Sequence, residues 1–266
     1  MAIVISPSGR RFDRNKPDPL PAHRMLSRVS PSLPNVADLR TWDGPIKQQG
    51  DEGFCTGNAG AETREWITRK YFPSLGPLIF SAQYTYAKEL IAQGDFPQDD
   101  GSDGTTLCGT LVVNGCCEES LYPSIPGKIL KPTPEQDANA AKYTLGAWHG
   151  LTGSRVAISV LGDPVPWPVM MGFDVAASLE SDEVAETGIY NPKPEEEIIG
   201  GHEVKASGYD IGPTPTIRPK NCPPAILYQN SWGPKWGLKG YFWCVLSVLD
   251  LPDTDLRIAH SGGPWK

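Results

Sequence analysis

The stretch that decides the reading is "IKQQGDEGFCTGNAGAETREW", residues 46–66. It sets a glutamine, a glycine-punctuated turn and a cysteine ahead of a Pro-free run from Cys55 to Tyr71, in which Ala59, Thr63, Trp66, Ile67 and Lys70 recur at helical offsets. A cysteine so placed is a nucleophile, a half-cystine or a small buried side chain. The first turn of a helix favours the thiolate, because its unpaired amides and the positive dipole end stabilise negative charge. Taken singly, a free cysteine is an ordinary core residue, so the choice turns on what the rest of the chain supplies.

A thiolate nucleophile needs a proton acceptor, an orienting group for that acceptor, and donors for the oxyanion of a tetrahedral intermediate. "GGHEVKASGYD" offers His202 at the entrance to a strand, behind Gly200 and Gly201, which let a substrate backbone come close. "QNSWG" offers Asn230, whose carboxamide accepts an imidazole N–H without adding charge. Gln49, six residues before Cys55, can aim its amide beside the Cys55 backbone N–H to make two oxyanion donors. His202 follows Cys55 by 147 residues and Asn230 follows His202 by 28. Alone, the histidine reads as a satisfied core or surface residue, the asparagine as a turn residue and the glutamine as a surface amide. Together, in this order, one chemistry accounts for all four.

At these residues the chain resembles the papain-like cysteine peptidases. The family's oxyanion glutamine, its glycine and a nucleophile six positions on correspond to Gln49, Gly50 and Cys55. Its histidine strand corresponds to Gly200, Gly201, His202, Gly208 and Tyr209, and its "NSWG..WG..GY" signature runs from Asn230 through Trp232, Gly233, Trp236, Gly237 and Gly240 to Tyr241. The resemblance, spanning about residues 34 to 250, implies an α+β, two-lobe papain-like fold: a helical lobe with the nucleophile, an antiparallel β-barrel lobe with histidine and asparagine, and the cleft between them. It also implies that Trp232 shields the His202–Asn230 hydrogen bond. "GSDGTTL" at 101–107 resembles the loop that pairs with substrate backbone, with Gly104 at the pairing position and Thr105 and Thr106 near the second specificity pocket. Gly201 joins them as a substrate-binding position. The usual cysteine three places before the nucleophile is Glu52, so the family's first disulfide is missing, and the long helical propeptide has no counterpart in a tail of about 35 residues.

The remaining sequence agrees with this division. Residues 36–140 hold the helical signals, including "SAQYTYAKELIAQ" at 81–93 behind an N-cap serine and "TTLCGTLVVN" at 105–114. Residues 141–266 shift to short Val-, Ile-, Tyr- and Trp-rich segments bounded by turn residues, with a C-terminal crossing segment. Trp236, Tyr241 and Trp243 read as core and strand-packing residues, and "PKPEEE" at 192–197 as a solvated acidic loop. Residues 1–35 form a basic, Pro-rich arm of net +4 on a body of −11, expected to dock on its own body or on a neighbouring subunit.

With 266 residues the chain buries a core without staples. Its net charge of −7 gives no support for a nucleic-acid partner, and no apolar run approaches the ~18 residues of a membrane span. The start "MAIVISPSGRR" is too short in apolar residues for a secretory signal, so a cytoplasmic location, or packaging in an assembly such as a virion, is expected. Six cysteines are too few for a disulfide scaffold, although a Cys222–Cys244 bridge stays open. His23, His149, His202 and His260 are scattered and no Cys-x-x-Cys pair exists, so neither metal nor cofactor is expected. The expected activity is cysteine endopeptidase acting on protein or peptide. Two rivals remain: a catalytically idle component of a larger assembly such as a phage particle, and an amidase of cell-wall peptide.

Overall fold

The computed structural model describes residues 33–260, so the expected arm lies outside the described residues except for positions 33–35. The quoted stretch folds into helix α1 (Cys55–Tyr71), and every residue from Cys55 to Thr68 is buried. Such all-round burial requires neighbours on each side, and two glycines make room for them. A Cβ on Gly57 would stand 2.3 Å from the Ala82 carbonyl oxygen, and one on Gly60 would stand 2.5 Å from Leu107 Cδ1. Glycine inside a helix costs about 0.5–1 kcal/mol against alanine; here it lets α2 (Ala82–Gln93) and α3 (Gly104–Val113) close against α1. Ser81 caps α2 by accepting from Tyr84 N at 3.0 Å, and the helix stops at Gly94 in the left-handed conformation. Asp103 caps α3, accepting from the amides of Thr105 and Thr106 at 2.8 and 2.9 Å. A short α4 (Pro134–Ala140), opened by a Thr133–Gln136 capping box, completes the helical part.

The second half is a sheet. Strands β2 (Ala147–Leu151), β3 (Met170–Ala176), β4 (Ile189–Tyr190), β5 (Ile198–Asp210), β6 (Ala225–Gln229), β7 (Tyr241–Val245) and β8 (Asp255–His260) run in the order β2-β8-β3-β5-β6-β7-β4. Helix α5 (Ser154–Leu161) lies between β2 and β3, α6 (Asp182–Thr187) precedes β4, and α7 (Leu246–Leu249) follows β7. The expected antiparallel pairing holds at every strand pair but one: β4 runs parallel to β7. The chain reaches β4 from α6 instead of from a hairpin, and Tyr190 is buried between Phe173 and Phe242 at ring distances of 5.9 and 6.4 Å. The loop at 192–197 is mostly exposed, as its charge predicts.

A further strand, β1 (Val36–Asp38), precedes all the described helices in sequence yet pairs with the far end of β5, Val36 opposite Asp210 and Asp38 opposite Gly208. The approach is close. Gly208 has φ +147°, and a Cβ there would lie 2.3 Å from the Ala37 carbonyl oxygen. Gly208→Ala is therefore expected to lower stability by ~1–3 kcal/mol and to loosen β1. Urea unfolding and amide exchange at Ala37 check this; an alanine variant as stable as the parent would mean that β1 is not held at that distance.

Candidate active site

Helix α1 packs on β5, so the helix that begins with Cys55 lies against the strand that carries His202. Cys55 is fully buried at the first helical position. The residue before it, Phe54, contributes no side-chain acceptor to the first turn, which leaves the dipole end to act on the thiol. The loop leading there is fixed at several points: Lys47 Nζ pairs with Glu65 at 2.8 Å, and Gly53 N donates to both Asp99 oxygens at 3.0 and 3.2 Å.

The orientation of His202 follows from its neighbours. Asn230 Oδ1 lies 2.8 Å from His202 Nε2 and 2.9 Å from Ser231 N. A backbone N–H can only donate, so the atom facing it is the amide oxygen, and His202 Nε2 must be a donor as well. That leaves Nδ1 as the basic nitrogen of the neutral ring. Trp232 stacks on the imidazole with centroids 4.8 Å apart and planes 28° apart, and Phe173 meets it edge-on at 6.1 Å. His202 is only 3 % exposed and Asn230 is fully buried, so their hydrogen bond is dry and correspondingly strong.

Gln49 joins the same network. Its backbone N donates to Ser231 O at 2.8 Å, Ser231 Oγ donates to Gln49 Oε1, and Gln49 Nε2 donates to the Glu52 carbonyl at 2.9 Å. A carbonyl can only accept, so the amide is held in one sense and retains a second Nε2 hydrogen for a further acceptor. The chain Gln49–Ser231–Asn230–His202 is thus continuous.

Of the expected substrate positions, Gly104, Thr105 and Thr106 open α3, and Gly201 immediately precedes His202 in β5. Gly104 is buried at the start of α3, where a Cβ would meet Arg257 Nη1 at 2.4 Å and Glu203 Oε2 at 3.3 Å. Thr105 receives Arg257 Nη2 at 3.3 Å, and Thr106 Oγ1 donates to Asp103 at 2.7 Å. Gly201 lies inside β5 opposite Asp174 of β3. Sequence reasoning missed Arg257, which is 8 % exposed; the only signal was a lone cation in the apolar run "DLRIAH". It also missed Glu89, fully buried and accepting from Thr56 Oγ1 at 2.5 Å, directly beside the nucleophile position. Burial pushes the Glu89 carboxyl up to about 8, so it is neutral at pH 7.

All six cysteines are free thiols, so the bridge left open between Cys222 and Cys244 is not made. Burial raises Cys116 to about 12 and Cys117 and Cys222 to about 11, and lifts Cys108 and Cys244 as well. Trp236 and Trp243 are buried, and the Tyr241 hydroxyl donates to Asp43 at 3.0 Å. Among the described residues no His, Cys, Asp and Glu side chains gather in threes as a metal ion would require, and no helix is long and apolar enough to cross a membrane.

Residues 166–250, which include His202 and Asn230, match the papain family of cysteine proteases. An uncharacterised peptidase C1-like protein of Acanthamoeba polyphaga mimivirus is 30% identical over 207 residues, 73% of this chain, and the match spans 62% of that protein's length. Among solved structures, xylellain, a cysteine protease from Xylella fastidiosa, superposes with a TM-score of 0.78 at 22% identity, covering 97% of this chain and 98% of its own. The proform of the ragweed pollen cysteine protease Amb a 11 gives 0.69 at 18% identity over 91% of this chain and 70% of its own. Procathepsin B of Trypanosoma congolense gives 0.70 at 16% identity over 96% and 87%.

Proposed function

We propose that this chain, which belongs to the papain family of cysteine peptidases, hydrolyses peptide bonds in protein substrates with Cys55 as nucleophile and His202 as its acid–base partner. The observation that carries the reading is the His202–Asn230 pair at 2.8 Å beneath Trp232, because it commits Nε2 to donation and reserves Nδ1 for proton transfer.

In the proposed cycle Cys55 Sγ gives its proton to His202 Nδ1 and attacks the scissile carbonyl carbon. The carbonyl oxygen takes up the electron pair and receives hydrogen bonds from the Cys55 N–H and the second Nε2 hydrogen of Gln49. The tetrahedral adduct collapses as His202 returns the proton to the departing amine. Water, deprotonated by the same imidazole, then hydrolyses the thioester and regenerates the thiol. Asn230 holds the ring through both halves, and Trp232 keeps water from the bond between them. We place substrate backbone along Gly104 and Gly201, with Thr105 and Thr106 at the neighbouring pocket.

A peptidyl electrophile that reacts with activated thiols tests this. At neutral pH it is expected to label one site, Cys55, because burial holds the other thiols protonated. Peptide mapping by mass spectrometry locates the adduct. An inert Cys55 would support the idle assembly component instead, and labelling together with hydrolysis of muropeptides but not of casein would support the amidase.

A further inference from the structure

Where the family carries a cysteine, Glu52 holds two pieces of the protein together. Its main-chain carbonyl takes the Gln49 amide, as described above. Its carboxylate reaches the other way: Oε1 accepts from Gly127 N in a short bond, and Oε2 accepts from Gln83 Nε2 at 3.1 Å. Gln83, 1 % exposed on α2, is itself locked to the 125–128 turn, accepting from Ile125 N and donating to Ile125 O, both at 3.0 Å. That turn is tight, with Lys128 N donating to Ile125 O at 3.1 Å and Gly127 at φ +72°. Between the turn and the Gln49 loop lies a cavity of about 450 Å³ lined by Gln48, Asp51, Phe54, Ser124 and Pro126 among others.

The loop from Gly50 to Gly53 faces this open space on one side, so beyond Gly53 N, which is tied to Asp99, its middle needs a restraint there. Carboxylate hydrogen bonds across the cavity supply that restraint, and a carboxylate accepts more strongly than a neutral amide. Since the Glu52 carbonyl sets the position of Gln49 Nε2, any drift of Glu52 becomes a drift of the donor that Gln49 presents.

We propose that the Glu52 carboxylate, tied to Gln83 and the 125–128 turn, is a positioning group for the Gln49 oxyanion donor, a role that rests on the peptidase reading above. A donor displaced by a fraction of an ångström loses part of the 10²–10³-fold that a whole oxyanion donor contributes.

Glu52→Ala is expected to lower kcat on the order of 10-fold with KM changed less than about threefold, since the lost interaction belongs to the transition state. Glu52→Gln, which keeps one acceptor oxygen, should fall between it and the parent. Alkylation of Cys55 by iodoacetamide needs the thiolate but no oxyanion, so its rate should be the same in all three proteins. In a Gln49→Ala background, Glu52→Ala should change kcat by less than about twofold. Full additivity in that background, or turnover and alkylation falling in parallel, would overturn the role and leave Glu52 a structural residue. Should the alanine variant not fold, Glu52→Gln carries the same comparison alone. An active parent with an unaffected Glu52→Ala refutes only this role; a parent that neither turns over peptides nor alkylates at Cys55 refutes the peptidase reading itself.

Discussion

Replacing Cys55 with alanine is expected to reduce peptide turnover by roughly 10⁴-fold or more while the protein keeps its fold. The size follows from the proposed role: in that mechanism, without sulfur there is no acyl-enzyme route, and substrate binding and oxyanion donors alone leave, for comparable nucleophile deletions, only a small residue of catalysis. The fold should survive because Cys55 makes no disulfide and is a small buried side chain whose loss leaves a cavity of about one sulfur atom. The comparison requires purified protein, a fluorogenic peptide and a melting curve of each form. Persistent hydrolysis by Cys55→Ala protein, free of contaminating peptidase, would eliminate the thiolate mechanism. A collapse in melting temperature would instead show that the cysteine is there for packing.

The largest stability effect is expected at Lys205. Its ammonium is fully buried in the middle of β5, paired with Asp43 in a short contact and donating to Ser207 Oγ at 2.9 Å. Asp43 in turn receives the Tyr241 hydroxyl of β7. The segment before α1 is thereby fastened to two strands of the sheet. Lys205→Met would take the hydrogen-bonded ammonium away from the buried Asp43 carboxylate, and removing one partner of a buried pair costs about 3–5 kcal/mol. Replacing both, as Lys205→Met with Asp43→Asn, should restore much of the loss, because the expense lies in the orphaned charge. Guanidinium unfolding of the single and double variants checks both statements. A single variant within 1 kcal/mol of the parent would mean that water reaches the pair.

The sequence reading reached the elements whose determinants are local. The period of Cys55 to Tyr71, the serine ahead of Ala82 and the apolar, aromatic-rich segments of β6 and β7 each announce their structure within a short window. It did not reach what depends on distant partners. The periodicity of α1 gave no sign that Glu62 and Glu65 would be buried on it, since a charged residue normally marks a solvent face; Glu62 is accommodated because burial raises its carboxyl to about 8 and it stays neutral. The parallel β4–β7 pair, the Arg257 guanidinium against Gly104 and the Glu52–Gln83 link likewise join residues far apart in the chain. Of the expected site residues, Gln49, His202, Asn230 and Trp232 come from short motifs; the structure joins the first three through Ser231 and stacks Trp232 on His202.

The position of β1 bears on how such a protein can change over time. Because the segment that starts the described chain belongs to the sheet, and only then does the backbone cross to form α1, no single cut separates the two halves into self-contained pieces. Neither half can be traded between relatives as a cassette without carrying a strand, or a place for a strand, from the other. Variation is thereby channelled into loops and pocket walls, and the architecture is inherited whole.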